Sequence, residues 1–329
     1  MVRLCWLSDP HLNFLHATGA SQRFGEYLCV EHTFDAVIIT GDIAEADTFR
    51  TLLNEFAKGC PKPIFFLLGN HDYYRGSFAG VREELSKELE PNLTWLDSSG
   101  PILLDDCTAL VGRQGWFDGR CGDPNGSRVI MSDFELIQDL RAHYQTEKYW
   151  LHYQTEGSRV DLLEFIRAVG KSEAEAARKT LLEAMKSRKE IIFATHFPPF
   201  KEACWHEGKI SNKHWLPWFT CAAMGEMLAE VAQENPEHRI LVLCGHTHSP
   251  GVYYHLPNLI VFTGKAVYGA PDVAGIFETP LNSVWQQRPE RCDRCHTSDF
   301  RDSEMILECK LCNRVWERIN WIWVLDPNS

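Results

Sequence analysis

Short apolar runs separated by polar turns recur along most of the chain, and five of them stop at the same kind of residue. The runs cover residues 3–8, 35–40, 63–68, 190–194 and 239–244, each too short for a helix and rich in Leu, Ile, Val or Phe, as buried strands are. Between them, in 47–57, Phe49, Leu52, Leu53 and Phe56 recur at helical spacing, and 81–89 shows a similar face. Strand, turn and helix alternate in this way to about residue 115, the order of an α/β fold. From 123 to 188 the pattern becomes helical and polar, after a loop-like Asp123-Pro124-Asn125-Gly126. Ser172, with Glu175 three residues on, has the form of a capping box and predicts a helix that opens there and runs through Leu181, Leu182 and Met185. A further helix is expected over 220–234. Residues 200–218 have no clear period and are rich in aromatic and His residues, so a loop over one end of the strands is expected. After Thr279, Pro280, Gln286, Gln287 and Pro289 read as a linker, and 313–325, with Val315, Ile319, Trp321, Trp323 and Leu325, reads as strand. The division implied is a large domain over 1–285, with a helical insertion at about 120–188, and a small unit over 286–329.

The polar blocks at the ends of the five strand-like runs carry the chemistry. They are Asp9-Pro10-His11, Gly41-Asp42, Gly69-Asn70-His71-Asp72, Thr195-His196 and Gly245-His246-Thr247-His248. In an α/β sheet, ligands gather beyond the carboxyl ends of the strands, so the five blocks are predicted to converge on one rim. Carboxylate, imidazole and amide donors suit divalent first-row metals. A bridging carboxylate holds two such ions roughly 3.5–4 Å apart, clamping the attacking and leaving oxygens of a phosphoryl displacement.

Composition adjusts this picture little. Hydrophobic residues make up 44% and charged residues 24%, as in ordinary globular enzymes. A formal net charge of −12 disfavours broad nucleic-acid binding, which depends on Lys and Arg neutralising phosphates. No apolar run is long enough for a membrane span and no secretion signal opens the chain, so no membrane partner and a cytoplasmic location are expected. Of the 12 cysteines, Cys292-x-x-Cys295 and Cys309-x-x-Cys312 read as two knuckles gripping one tetrahedral structural zinc in a ribbon. Cys5, Cys29, Cys60, Cys107, Cys121, Cys204, Cys221 and Cys244 read as mostly buried small apolar residues. Residues 288–329 carry seven basic and eight acidic side chains, so a docking or dimer-contact role for the ribbon is preferred to nucleic-acid recognition.

The five blocks in this order resemble those of the calcineurin-like metallophosphoesterases, over roughly residues 1 to 270, with no ligand replaced. The resemblance implies an α/β (α+β) fold, a two-layered β-sandwich flanked by helices. It implies that Asp9, His11, Asp42 and His248 hold one metal while Asp42, Asn70, His196 and His246 hold the other, with Asp42 as the bridge. The two divalent ions would be manganese, iron or zinc. A metal-bridging hydroxide would then attack a phosphoester, with His71 protonating the leaving oxygen or stabilising the phosphate. Gly41-Asp42-Ile43-Ala44-Glu45-Ala46-Asp47 lacks the arginine of the Gly-Asp-x-Val-Asp-Arg-Gly pattern of Ser/Thr protein phosphatases. The chain therefore looks more like bacterial-type members acting on diesters, nucleotides or other small phosphates. Two competing readings are a nuclease acting on nucleic-acid ends and a non-catalytic metal-binding scaffold.

Further side chains are expected near the rim. Asp72 is expected to orient His71, and Arg75 to reach a substrate phosphate with its guanidinium fork. Trp205, His206, His214, Trp215 and Trp218 are expected to form a packed aromatic lid in preference to stacking on a nucleobase. Asp118, Gly119 and Arg120 are candidates for the rim, with Trp116 and Phe117 in the core.

Overall fold

The computed structural model describes residues 1–144, 160–281 and 284, together with strand residues 300–302, 306–309, 315–319 and 322–325. Strands β1 (Arg3–Leu7), β2 (Ala36–Thr40), β3 (Ile64–Leu67) and β4 (Leu93–Trp95) run parallel in one sheet. Helices α1 (Ala20–Glu31), α2 (Phe49–Gly59) and α3 (Phe78–Leu85) connect them in turn. A second sheet is built from β5 (Ile102–Leu103), β6 (Thr108–Gly112) and β7 (Glu190–Ala194). Between β6 and β7 lie α4 (Asp133–Leu136) and the 26-residue α5 (Val160–Met185). A small hairpin, β8 (Trp205–His206) and β9 (Lys209–Ile210), then leads to α6 (Leu216–Phe219) and α7 (Ala222–Glu234). The second sheet is completed by β10 (Arg239–Cys244), β11 (Gly251–Leu256) and β12 (Leu259–Thr263), in the order β11-β12-β10-β7-β6-β5. Its four central strands are parallel, and β13 (Gly275–Glu278) returns to pair antiparallel with β1 at the edge of the first sheet.

Alternation along the strands explains the layers. Leu4, Trp6, Ile38, Phe65 and Leu67 of the first sheet share one buried cluster with Leu110, Ile192, Ala194, Leu241, Leu243, Ile260 and Phe262 of the second. That cluster fills the space between the sheets. The intervening residues point the other way. Cys5, Leu7, Val37, Ile39 and Phe66 join Phe24 and Leu28 of α1 and Leu53 and Phe56 of α2, while Val111, Phe193 and Val242 join Ile166 and Leu181 of α5 and Leu228 of α7. With both faces covered, the central strands are buried throughout, which is why they read as unbroken apolar runs and not as alternating ones. The expected two-layered sandwich flanked by helices is this arrangement.

One helix start differs from expectation. Helix α5 is already formed from Val160, and the predicted opening at Ser172 falls inside it. Ser172 is exposed, while Leu162, Leu163, Ile166, Ala174, Ala177 and Leu181 continue a buried face across it, so packing carries the helix through the local capping signal. Five of the eight scattered cysteines (Cys5, Cys60, Cys204, Cys221 and Cys244) are buried, Cys29 and Cys121 are partly so, and Cys107 is exposed. Residues 313–325 hold the strands β16 (Val315–Ile319) and β17 (Ile322–Leu325), which follow β14 (Phe300–Asp302) and β15 (Ile306–Cys309) in a four-stranded antiparallel sheet. Cys309 ends β15, whereas Cys292, Cys295 and Cys312 lie outside the described residues. Among the described residues no helix is long and apolar enough to cross a membrane.

Candidate metal centre

The five blocks leave the carboxyl ends of β1, β2, β3, β7 and β10, all parallel members of the two sheets, and their loops are stitched together there. His11 N donates to Asp42 O (2.9 Å), His246 N to Asp9 Oδ1 (2.7 Å), Gly245 N to His196 O (2.9 Å) and His71 N to Asp42 Oδ1 (2.9 Å). The backbone bends sharply to make this possible. Asp9 (φ 47°), His11 (44°), Asp42 (53°), His246 (70°) and His248 (58°) all lie in the left-handed region, and among the described residues only Arg75 and Glu207 join them outside glycine. Such conformations are costly for residues with a Cβ and persist where surrounding contacts impose them, typically at functional sites.

The glycines beside these residues have a steric reason. A Cβ on Gly41, itself at φ 95°, would stand 2.5 Å from His196 Nδ1. One on Gly69 would stand 2.5 Å from both Asp42 N and His196 Cε1, and would collide with Asp42 Oδ1.

Two overlapping groups of donors result. Asp9, His11, Asp42 and His248 each offer an atom within 4.8 Å of the others, as do Asp42, His196 and His246. Asp42 belongs to both. In the first group, His11 Nε2 lies 3.1 Å from His248 Nε2 and 3.8 Å from Asp42 Oδ2. In the second, Asn70 Oδ1 lies 3.0 Å from His196 Nε2 and 2.9 Å from His246 Nδ1, and His196 Nε2 is 3.4 Å from Asp42 Oδ1. Two donors each ~2.1 Å from one ion stand ~3.0 Å apart at a right angle and ~3.4 Å apart at the tetrahedral angle, so these spacings fit ligands gathered around cations.

The electrostatics agree. Burial, then Asp9 and Asp72, pushes the Asp42 carboxyl well above the usual range. Burial, then the neighbouring imidazoles of His71 and His248, holds His11 well below its usual value, and burial lowers His196 and His246 too. Neutral imidazoles are the form that binds metal, and a buried carboxylate crowded by carboxylates needs positive charge to ionise. His11 Nδ1 and His246 Nε2 are buried with no hydrogen-bond partner. Two carboxylates, four imidazoles and an amide therefore form a donor set that fits divalent cations.

Residues 2–250 match the family model for calcineurin-like phosphoesterases. The chain belongs to that family. It is a phosphoester hydrolase built around a site for two metal ions. Solved structures share the fold. The phosphopantetheinyl hydrolase of Mycobacterium tuberculosis superposes with a TM-score of 0.52 at 14% identity, over 81% of this chain and 89% of that one. A dimetal phosphatase from Danio rerio gives 0.50 at 13%, over 82% and 89%. No curated protein matches the chain.

Around the centre of this calcineurin-like phosphoesterase lies a cavity of about 330 Å³. His71 lines it, with Nε2 4.0 Å from Asp42 Oδ2 and its ring stacked 4.2 Å from that of Tyr74. Burial, then His248 and His196, pushes the His71 imidazole down to about 3, so it is neutral at neutral pH. Asp72 does not take the orienting role expected of it. Its Oδ1 accepts from Ile43 N and Ala44 N (both 2.9 Å) and its Oδ2 from Gly69 N (2.7 Å), so the carboxylate ties the turn after β2 to the turn after β3. Arg75 also departs from expectation. It does not line the cavity, and its guanidinium pairs with Glu45.

Loop 200–218 divides. His206 and Trp215 line the cavity, joined by Phe219, with Trp215 and Phe219 rings 5.0 Å apart and Phe219 5.0 Å from His246. Trp218 is core, its Nε1 donating to Ser127 Oγ (3.0 Å), and Trp205 packs against Gly251; neither lines the cavity, nor does His214. Trp116 and Phe117 are fully buried, and Asp118 accepts from Ala223 N (2.8 Å) and Arg120 N (3.1 Å). Arg120 pairs with Glu226 of α7, away from the cavity.

The wall also has residues outside the sequence motifs, Tyr74, Asp133 and Tyr268 among them. Tyr268 follows β12 and Gly264, a strand-then-glycine pattern like that of the metal blocks, so a signal existed. Asp133 had none, because it comes from the insertion between β6 and β7.

Proposed function

We propose that this chain hydrolyses a small phosphoester with two divalent ions, one held by Asp9, His11, Asp42 and His248 and the other by Asp42, Asn70, His196 and His246. The observation that carries the reading is the convergence of these donors about Asp42 on strained, left-handed turns. Bound there, divalent cations bring positive charge to phosphoryl oxygens and acidify water near neutral pH. The donors are oxygen and nitrogen without thiolate, which suits manganese, iron or zinc.

The protein's own groups do the rest. His71, neutral and set at the cavity wall, donates from its imidazole N–H to the leaving oxygen as negative charge develops there. The stack on Tyr74 and the edge contact with His11, 4.6 Å between centroids, hold its ring plane. The wall of His206, Trp215 and Phe219 offers a flat, largely aromatic surface suited to the planar part of a leaving alcohol, such as the base of a nucleoside. A phosphodiester or nucleotide is therefore the substrate class to test first.

Metal-stripped protein given manganese should turn over bis(4-nitrophenyl) phosphate, 4-nitrophenyl phosphate or both, and Asn70→Ala should lose on the order of 100-fold or more. Absence of turnover with manganese, iron and zinc on either compound would overturn the proposal. In the same reading, residues 1–285 form the catalytic unit with its insertion at about 120–188. Residues 286–329 form a zinc ribbon on Cys292, Cys295, Cys309 and Cys312, supported by the paired Cys-x-x-Cys spacing.

A further inference from the structure

A metal-binding asparagine must present its oxygen, and nothing in the shape of a carboxamide distinguishes that end from the amino end. A second interaction has to choose. Asn70 Oδ1 is turned toward His196 and His246, while Asn70 Nδ2 lies 3.3 Å from the hydroxyl of Tyr74. That hydroxyl lies 2.9 Å from Asp133 Oδ2. All three residues are buried, Asn70 at 1% exposure, Tyr74 at 5% and Asp133 at 0%.

A tyrosine hydroxyl has one proton, and an ionised carboxylate only accepts. With the proton committed to Asp133, the Tyr74 oxygen can only accept from Asn70, and the only Asn70 group able to donate is its NH2. The amide oxygen is thereby directed to the opposite side, where the imidazole nitrogens converge. We propose that Tyr74 and Asp133 are positioning residues that fix the orientation of the Asn70 carboxamide for cation binding. The device joins two separate parts of the chain. Tyr74 lies just beyond the turn that follows β3, and Asp133 opens α4 in the insertion 59 residues later. The insertion, which also lines the cavity with Ile130, Met131 and Ser132, thus touches a metal-binding side chain through the Tyr74 hydroxyl. This inference rests on reading Asn70 as a ligand.

The same logic makes the two ends of the device unequal. Tyr74→Phe removes the hydroxyl, keeps the ring stacked on His71 and takes away the oxygen that accepts from the Asn70 amide, leaving the Asp133 carboxylate alone on that side. Asp133→Ala frees the tyrosine proton, which can then donate to Asn70 Oδ1 and turn the amide the wrong way. Removing the hydroxyl as well should cancel that effect.

Manganese affinity of the metal-stripped chain, measured by titration calorimetry alongside kcat/KM, tests this with wild type, Tyr74→Phe, Asp133→Ala, the double variant and Asn70→Ala. The expected result is on the order of 10-fold weaker binding for Tyr74→Phe and a larger loss for Asp133→Ala, with the double variant recovering to the level of Tyr74→Phe. Tyr74→Phe binding manganese like wild type would overturn the proposal, as would a double variant as weak as the two single losses combined. If Asn70→Ala also binds like wild type, the ligand reading itself falls; if Asn70→Ala binds weakly and Tyr74→Phe does not, only the positioning role falls. Should Asp133→Ala fail to fold, shown by loss of its thermal transition, the isosteric Tyr74→Phe decides alone.

Discussion

Asp42 receives the amide of His71 on one carboxylate oxygen and sits against Gly69, whose missing side chain leaves the space that the carboxylate fills. Gly69→Ala should therefore displace Asp42 and His196 together. A misplacement on the order of 1 Å at a catalytic centre can cost about 100-fold, and that is the loss expected in kcat/KM, with bound manganese reduced. Gly100→Ala, where an added Cβ meets nothing within 4 Å, is the matched control and should behave as wild type. A Gly69→Ala enzyme with full activity would show that the turn yields without moving its ligands. At this scale the sequence was informative about the metal donors because strand ends announce them. It was misleading about Asp72 and Arg75, which sit beside His71 in sequence yet spend their polar groups on backbone amides and on Glu45.

Helix α5 is fastened to the second sheet by a buried charge cluster. Arg113, just after β6, forks onto Glu173 of α5 (2.8 and 2.9 Å) and donates to Asp97 O (3.0 Å), while Asp97 Oδ1 accepts from Gln114 N (2.8 Å). Burial, then Glu173, raises the Asp97 carboxyl from 3.8 to about 7, with Arg113 opposing. Its folded value lies above the unfolded one, so the stability it contributes is complete below pH 3.8 and is lost as pH rises through 7. Arg113→Met removes the guanidinium that forks onto Glu173, leaving the Asp97 and Glu173 carboxyls with the more distant Arg82, whose Nη2 lies 4.0 Å from Glu173 Oε1. At pH 8 the expected destabilisation is about 3 kcal/mol. At pH 5, where Asp97 carries a proton, the loss should be smaller. Urea unfolding of both proteins at the two pH values measures this, and equal losses would rule out the electrostatic account. No local pattern joins these partners: Asp97, Arg113 and Glu173 stand far apart in the chain, and Glu173 falls within the capping signal that α5 runs through.

The whole molecule closes its first sheet with a late segment. Strand β13 pairs with β1, Thr279 N donates to Val2 O (2.9 Å), and Leu281 N donates to Glu190 Oε2 (2.7 Å). A chain ending at residue 285 keeps all of these contacts and should retain its melting transition and its manganese-dependent hydrolysis. A chain ending at 274 loses β13 and should melt at a lower temperature. Elemental analysis should find one zinc fewer per chain in the 285-residue form than in the full protein, and equal zinc would remove the ribbon assignment. Across these scales, local pattern was enough for what depends on neighbours in sequence: the buried strands, because both of their faces are covered, and the donors at their ends, because side chains in a turn directly follow the strand that aims them. Only the tertiary structure decided which distant groups meet. It placed Tyr268 beside His11, let α5 run past its capping signal onto a continuous buried face, and brought Asp133 from the insertion to the hydroxyl of Tyr74. Such contacts are set by packing between layers, where separation along the chain leaves no periodic trace.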